Sequence, residues 1–233
     1  MHILLTRPIN ESIKTKIILT KLGYKVTIDP LLKIIFSKNN KNYKNIYCYI
    51  ITSKNGLLAL SKITKNRSIP IYCIGLATAK FAKQKKFKKV FFADGTGKNL
   101  YKIVCKMAKK KKILHVSGKD ITIDIAKKLK NSGYDAKRII AYKTLQAQNF
   151  RNKTILNLSK KKIDLVLFFS KKTAKTYIKL SRKANINNKL KEVHSLCLSK
   201  NIANVFPRNY WKKMYTSAHP NLLSLIDTIR KIN

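Results

Sequence analysis

The chain has 233 residues, with 52 Lys or Arg against 9 Asp or Glu, for a formal net charge of +43. A hydrophobic content of 45% is that of a globular protein, so a purely disordered basic tail is excluded. The length allows one large domain or two small ones, and nine scattered acids leave little stock for a glycosidase-type carboxylate pair or an oxygen-rich metal cage.

Ile3-Leu4-Leu5 is an apolar run without alternation, as expected of a strand buried on both faces, and Thr6-Arg7 closes it. A helical pattern follows, with Asn10 at the expected N-cap and Gly23 at the expected C-terminal turn. Leu31 to Ser37 is extended in character after Pro30 and breaks the rhythm, and Asn39 to Asn45 is polar and flexible-looking. YIITS at 49–53 is a strand ending at Thr52-Ser53, with Ser53 opening a helix. YCIG at 72–75 closes on Gly75, and VFFADG at 90–95 closes on Asp94-Gly95, with Thr96 at a helix start.

ILHVSG at 113–118 closes on Ser117-Gly118, with Asp120 as the expected N-cap and Gly133 past the helix end. Arg138 to Thr144, which carries Tyr142, is a second off-rhythm extended segment. LVLFFS at 165–170 ends on Ser170, LCLS at 196–199 ends on Ser199, and KMYTSA at 213–218 is the last strand. Four strand–helix units thus recur in the same order, Ile113 lying 110 residues after Ile3 and Ser170 lying 117 after Ser53. This is the mark of a duplicated βαβα module, which implies parallel sheets with right-handed crossovers. Repetition alone would divide the chain near residue 110.

Open parallel sheets bind ligands outside the carboxyl ends of their strands. Here those ends carry small hydroxyl residues or glycine at helix starts, where unpaired N–H groups and the helix dipole favour anions. The alternative for each is ordinary N-capping. Asp94-Gly95-Thr96-Gly97-Lys98 lacks the spacing of a phosphate loop, and Asp120 and Asp124 are the one acidic pair that could share a helix face. No HExxH or CxxC is present, so zinc is not expected; Cys48, Cys73 and Cys197 sit in apolar runs, as reduced thiols do in a cytosolic protein. No apolar run reaches 18 residues and Met1 to Lys14 lacks a signal-peptide core, so a soluble, cytoplasmic protein with no membrane association is expected.

The charge admits two readings. A nucleic-acid or other polyanion partner is one; a Lys-rich solvated surface is the other, since 45 Lys, 30 Ile and 20 Asn share A/T-rich codons and only seven Arg are present. Nucleic-acid binding is expected only nonspecifically, at low salt.

Several segments together resemble the uroporphyrinogen-III synthase family. ILLTRP at 3–8 is similar to its first strand and turn, ITSKNGLLAL at 51–60 to its TSxNAV turn, and IYCIGLATAKFAKQKKF at 71–87, with Gly75 and Thr78, to its hxVGxxTAxxL segment. ILHVSGKD at 113–120, IIAYKT at 139–144, DLVLFFSKKTAKTYIKL at 164–180 and SAHPNLLSLI at 217–226 follow in the family's order. Departures are Leu198 in place of a common Gly, Lys200-Asn201 in place of a Thr pair, and Asn221 in place of Thr or Ser.

The resemblance implies an α/β fold of two flavodoxin-like parallel-sheet domains, one inserted into the other and joined by a two-stranded bridge. The outer domain would be 1–32 plus 143–233, the inserted domain 38–137, and the connecting strands 33–37 and 138–142, with the active site in a cleft between the domains. It implies a cofactor-independent, metal-free lyase, monomeric, acting on hydroxymethylbilane. Tyr142 would be catalytic. Thr6, Arg7, Thr52, Ser53, Gly75, Thr78, Ser117, Gly118, Ser170 and Ser199 would bind substrate. The alternatives left open are a basic nucleic-acid-binding protein and a non-catalytic two-lobed anion-binding module.

Overall fold

The computed structural model describes residues 1–38, 43–107 and 111–232. Most of the polar stretch at 39–45 therefore lies outside the described residues. In chain order the first half comprises β1 (His2–Leu5), α1 (Ile9–Lys21), β2 (Lys25–Ile28), β3 (Leu32–Phe36), β4 (Cys48–Ile51), α2 (Lys54–Ile63), β5 (Ile71–Ile74), α3 (Leu76–Gln84), β6 (Val90–Ala93) and α4 (Gly97–Met107). There follow β7 (Ile113–Gly118), α5 (Ile125–Asn131), β8 (Ala136–Gln146), α6 (Asn152–Ser159), β9 (Leu165–Phe168), α7 (Lys171–Lys183), α8 (Asn187–Leu190), β10 (His194–Cys197), α9 (Lys200–Ala203), β11 (Lys213–Thr216) and α10 (Leu222–Ile232).

The strands form two sheets. One has the order β11-β10-β9-β1-β2 and the other β3-β8-β7-β4-β5-β6. In the first, β1 pairs in parallel with β2 and β9, and β10 with β9 and β11. Relabelled along its own chain segments this is 2-1-3-4-5, the flavodoxin order. In the second, β4 pairs in parallel with β5 and β7, giving 3-2-1-4-5, the other common doubly wound order, with β3 added at the edge. Ser37 N donates to Ala141 O and Ala147 N to Leu31 O, so β3 and β8 run antiparallel, and the two off-rhythm segments are paired strands.

The chain divides into two compact units, residues 1–33 with 145–233, and residues 34–144. Sequence repetition places the break near residue 110 because it reads similarity between units. Hydrogen bonding instead sends β1 to β9, and a strand can pair only with what lies beside it.

Each sheet carries an apolar cluster on each face, as an apolar run without alternation requires. In the first unit Leu4, Val166, Phe168 and Cys197 pack with Tyr177, Phe206 and Trp211 on one face, while Ile3, Leu5, Leu165, Leu167 and Leu196 pack with Leu19, Leu225 and Ile229 on the other. In the second, Tyr49, Ile51, Cys73 and Val116 face Leu57, Leu60 and Ala79, while Cys48, Ile50, Tyr72 and Ile113 face Leu100, Val104 and Leu129. Side chains buried this fully contribute about 1.5–3 kcal/mol each. Burial pushes the thiols of Cys48, Cys73 and Cys197 up to about 12, which makes them inert hydrophobes.

Ser53 and Ser170 cap their helices, accepting from Gly56 N and Thr173 N at 3.1 Å each. Gly23 and Gly133 take φ of 84° and 82° just past α1 and α5, as expected for these turns. Two expected caps are displaced. Pro8, not Asn10, precedes α1, because the Pro8 carbonyl already accepts from Glu11 N and Ser12 N. Asp124, not Asp120, caps α5 by accepting from Lys127 N at 3.1 Å, so the two acids do not share a helix.

Gly56 marks a close approach. A Cβ there would lie 2.8 Å from Val116 O on β7, a backbone atom that cannot swing aside. Gly56→Ala should therefore cost about 1–3 kcal/mol and lower the melting temperature by about 2–4 °C per kcal/mol, measured by circular dichroism.

Candidate functional site

The sequence-predicted residues sit at the carboxyl ends of the parallel strands in both sheets. In the first unit the switch point, where crossovers leave in opposite directions, lies between β1 and β9. Thr6 follows β1 and is buried, and its Oγ1 donates to Leu167 O at 2.9 Å, so this hydroxyl ties the two switch-point strands together. Arg7 comes next. Its Nε and Nη2 lie 2.9 and 2.5 Å from Glu11 Oε2, and its guanidinium carbon sits 4.2 Å from the Phe169 ring centroid. Glu11 and Phe169 thus hold a half-buried cation at the mouth of the switch point. Ser170 opens α7 beyond β9, its Oγ 2.7 Å from Thr173 Oγ1. Ser199 precedes α9, a single turn of four residues, and makes no side-chain capping bond.

In the second unit the switch point lies between β4 and β7. Thr52 and Ser53 follow β4 and are half-buried. Gly75 follows β5 with φ of 76°, and its N–H donates to Ala93 O at 2.9 Å; nothing lies within 4 Å of where its Cβ would be. Thr78, in the first turn of α3, is buried, its N–H donating to Gly75 O at 3.1 Å. Ser117 and Gly118 end β7, where the pairing register with β8 shifts.

Tyr142 meets Ser53 and Gly118 of this second group. Its hydroxyl is 2.9 Å from Ser53 Oγ. Its ring lies on Gly118, where a Cβ would come within 2.7 Å of Cε2 and Cζ. Phe36 tilts against it at a centroid distance of 6.3 Å, and its carbonyl accepts from Lys119 N at 2.9 Å. Tyr142, Ser53, Ser117 and Gly118 are therefore neighbours in space although they come from β8, the start of α2 and the end of β7.

Arg138, which no sequence motif marks, organises this edge. Its Nε donates to Ser117 Oγ at 2.8 Å, and its Nη2 donates to Gly118 O at 2.7 Å and to Lys119 O at 2.8 Å. Nη1 lies 3.6 Å from Asp124 Oδ2. A planar fork satisfies three acceptors at once, which an ammonium would do poorly. The signal in the sequence is that it is one of only seven arginines, placed four residues before Tyr142. Ser117 itself is buried and engaged with Arg138 and Gly118 O, so it builds the edge from behind.

Half-buried hydroxyls, a held guanidinium and first-turn N–H groups make both edges suited to carboxylates or other anions. Among the described residues no group of three or more His, Cys, Asp or Glu is placed to hold a metal ion, and no helix is long and apolar enough to cross a membrane.

A family description, uroporphyrinogen-III synthase HemD, matches residues 13–227. The chain belongs to the uroporphyrinogen-III synthase family. Solved structures agree on the fold. Uroporphyrinogen-III synthetase from Helicobacter pylori is 18% identical, covering 100% of this chain and 99% of its own, at a TM-score of 0.68. A mutant uroporphyrinogen III synthase from the extremely thermophilic bacterium Thermus thermophilus is 14% identical, covering 99% and 98%, at a TM-score of 0.60. No curated protein sequence matches the chain. The two-unit α/β architecture expected from the resemblance is that of this family.

Proposed function

We propose that this chain is a uroporphyrinogen-III synthase, closing hydroxymethylbilane to uroporphyrinogen III with inversion of the terminal D ring and loss of water. The observation that carries the reading is the family match over residues 13–227. We assign the reaction to the chain's own residues without a cofactor, in a cytoplasmic monomer.

The chemistry asks little of a nucleophile. Departure of hydroxide from the linear tetrapyrrole leaves an electrophilic azafulvene, which a pyrrole carbon attacks. Unguided closure gives the uninverted isomer I. The protein's task is to orient the rings so that attack falls on the substituted carbon, which is catalysis by positioning. The substrate's eight carboxylates supply anions for the strand-end residues. Arg7, Thr52, Ser53, Gly75 and Ser170 stand where carboxylates can reach hydroxyl, guanidinium or backbone donors. Thr6, Thr78, Ser117 and Gly118 are buried and act by shaping the same edges.

Tyr142 takes the role of donor to the departing hydroxyl. Ser53 Oγ already accepts from Gly56 N and can give its own proton to the phenol oxygen. The phenol proton is then free to point at the leaving group, which assists its departure.

The test is a coupled assay that generates hydroxymethylbilane and resolves isomer I from isomer III. Isomer III formed in proportion to enzyme is expected, and isomer I alone would overturn the reading. Tyr142→Phe should slow isomer III formation by about 10- to 100-fold, at or below the low end of general-acid effects because the azafulvene forms readily unaided. An unchanged rate would remove Tyr142 from the mechanism. Ser53→Ala should cost less in rate and about 1 kcal/mol in stability through the lost cap.

The charge contributes a separable property. Lysine–phosphate attraction mainly releases counterions, so any binding to random duplex DNA should vanish by about 0.5 M salt. Sequence-specific retention at that salt would favour a nucleic-acid function instead.

A further inference from the structure

Helix α1 is amphipathic the wrong way round. It buries Ser12 and Thr15 along with Leu19 against its sheet, their hydroxyls donating to Arg7 O at 2.8 Å and Glu11 O at 3.0 Å. It leaves Ile13 and Ile17 outside, 45% and 53% exposed, although a surface helix ordinarily turns such residues inward. The two isoleucines are one turn apart and, with Ile28 of β2, line an open groove of about 530 Å³ whose other walls are Lys16, Thr20 and Lys21.

The floor of that groove is an unfinished sheet edge. β2 is the last strand of its sheet. Lys25 N and Asp29 N donate to Met1 O and Leu5 O of the β1 side, so by strand alternation the N–H and C=O groups of Val26 and Ile28 point away from β1, toward the open edge. The side chains of Val26 and Ile28 both lie on the α1 face. An added strand would therefore bond to Val26 and Ile28 and place alternate side chains under Ile13 and Ile17.

Charge decides what kind of strand. Lys16 and Lys21 line the groove, while Lys25, which alternates with Val26 along β2, points from the opposite face of the strand, where the alternate residues of an added strand would lie. Of the nearby acids, Glu11 is bound by Arg7 and Asp29 is buried and accepts from Arg151 N at 3.0 Å. A second copy of this chain would bring lysine against lysine in a molecule of net charge +43. We propose that the groove between α1 and β2 docks an extended segment of another protein in which acidic and aliphatic residues alternate, added to the sheet as a sixth strand. Backbone pairing supplies affinity in such strand addition and the alternate side chains supply selection. This inference does not depend on the proposed reaction, since none of these residues was assigned to it.

The test uses a fluorescein-labelled seven-residue peptide alternating valine and glutamate, beside one alternating serine and glutamate, at about 0.15 M salt where exposed charges more than about 8 Å apart are screened. The valine peptide should bind the full chain about tenfold tighter or more, the equivalent of one buried aliphatic side chain. It should also slow amide exchange at Val26 and Ile28. Ile13→Gln and Ile17→Gln, which leave the charge unchanged at exposed positions, should each remove most of that preference while isomer III formation and thermal stability stay as they were. Equal binding of the two peptides would reduce the effect to charge adhesion and overturn the proposal. So would protection at other amides, or a dimer in sedimentation that Ile17→Gln dissolves, since the occupant would then be a second copy.

Discussion

Gly118→Ala is expected to impair isomer III formation at least as much as loss of the Tyr142 hydroxyl, although it removes no functional group. A Cβ at this position would lie 2.7 Å from two ring carbons of Tyr142 and 3.0 Å from its hydroxyl oxygen. The two backbones cannot move apart cheaply. The Gly118 carbonyl is held by Arg138 Nη2 at 2.7 Å, and the Tyr142 carbonyl accepts from Lys119 N. The ring must therefore tilt off the strand end and break its 2.9 Å contact with Ser53 Oγ. Overpacking of this kind costs about 1–3 kcal/mol, so the melting temperature should fall by several degrees. The discriminating readout is the coupled assay well below that temperature. We expect kcat to drop about 10- to 100-fold with KM nearly unchanged, because a misplaced donor weakens the transition state rather than carboxylate binding. Arg138→Lys keeps the charge but not the fork, and should give a smaller fall of the same kind. A Gly118→Ala variant with unaltered kcat would show that the ring's position is irrelevant to the reaction.

Acid should destabilise the fold through His115. This side chain is fully buried in β7, in register between Ile50 and Arg138, and neither ring nitrogen has a hydrogen-bond partner. Burial lowers its pKa from 6.5 to about 4, with Asp124 acting upward and Arg138 downward as lesser influences. The folded state thus resists a proton that the unfolded state accepts. Stability from this group is intact above the unfolded value near 6.5 and is lost as pH falls toward 4. At pH 5 the loss amounts to about 2 kcal/mol relative to pH 7.5. Denaturant unfolding of the wild type and of His115→Leu at both pH values checks this. The variant should lack that part of the pH dependence and be no less stable at pH 7.5, since it removes an unsatisfied buried polar group. Equal pH dependence in the two proteins would assign the acid sensitivity to other groups, of which His2 and His194 are also shifted down by burial.

The sequence by itself determined the kind of elements and the ends of the strands. Runs such as Ile3-Leu4-Leu5 and Leu165-Val166-Leu167-Phe168 fitted strands covered on both faces, because every one of their side chains needs an apolar partner. The residues after them, Ser53 and Ser170 above all, could be read as helix starts because capping is local chemistry. The family resemblance was legible for a related reason, since strand–turn–helix signatures are short and keep their order along the chain.

What tertiary structure alone decided is who stands beside whom. Nothing in the repeated units says that β1 joins β9 rather than β4, since four similar strands are equally able to pair and only the folded chain selects among them. The outward turn of Ile13 and Ile17 is likewise invisible in a helix whose buried face holds Ser12 and Thr15, because apolar periodicity points the wrong way. The setting of Tyr142 shows the same division. Its presence in an extended segment was readable, but Ser53 and Gly118 reach it from 89 and 24 positions away, and Arg138, 4 positions away, holds Gly118 in place. Their convergence depends on strand register and on the shift at the end of β7, which are properties of the assembled sheet and not of any stretch of sequence.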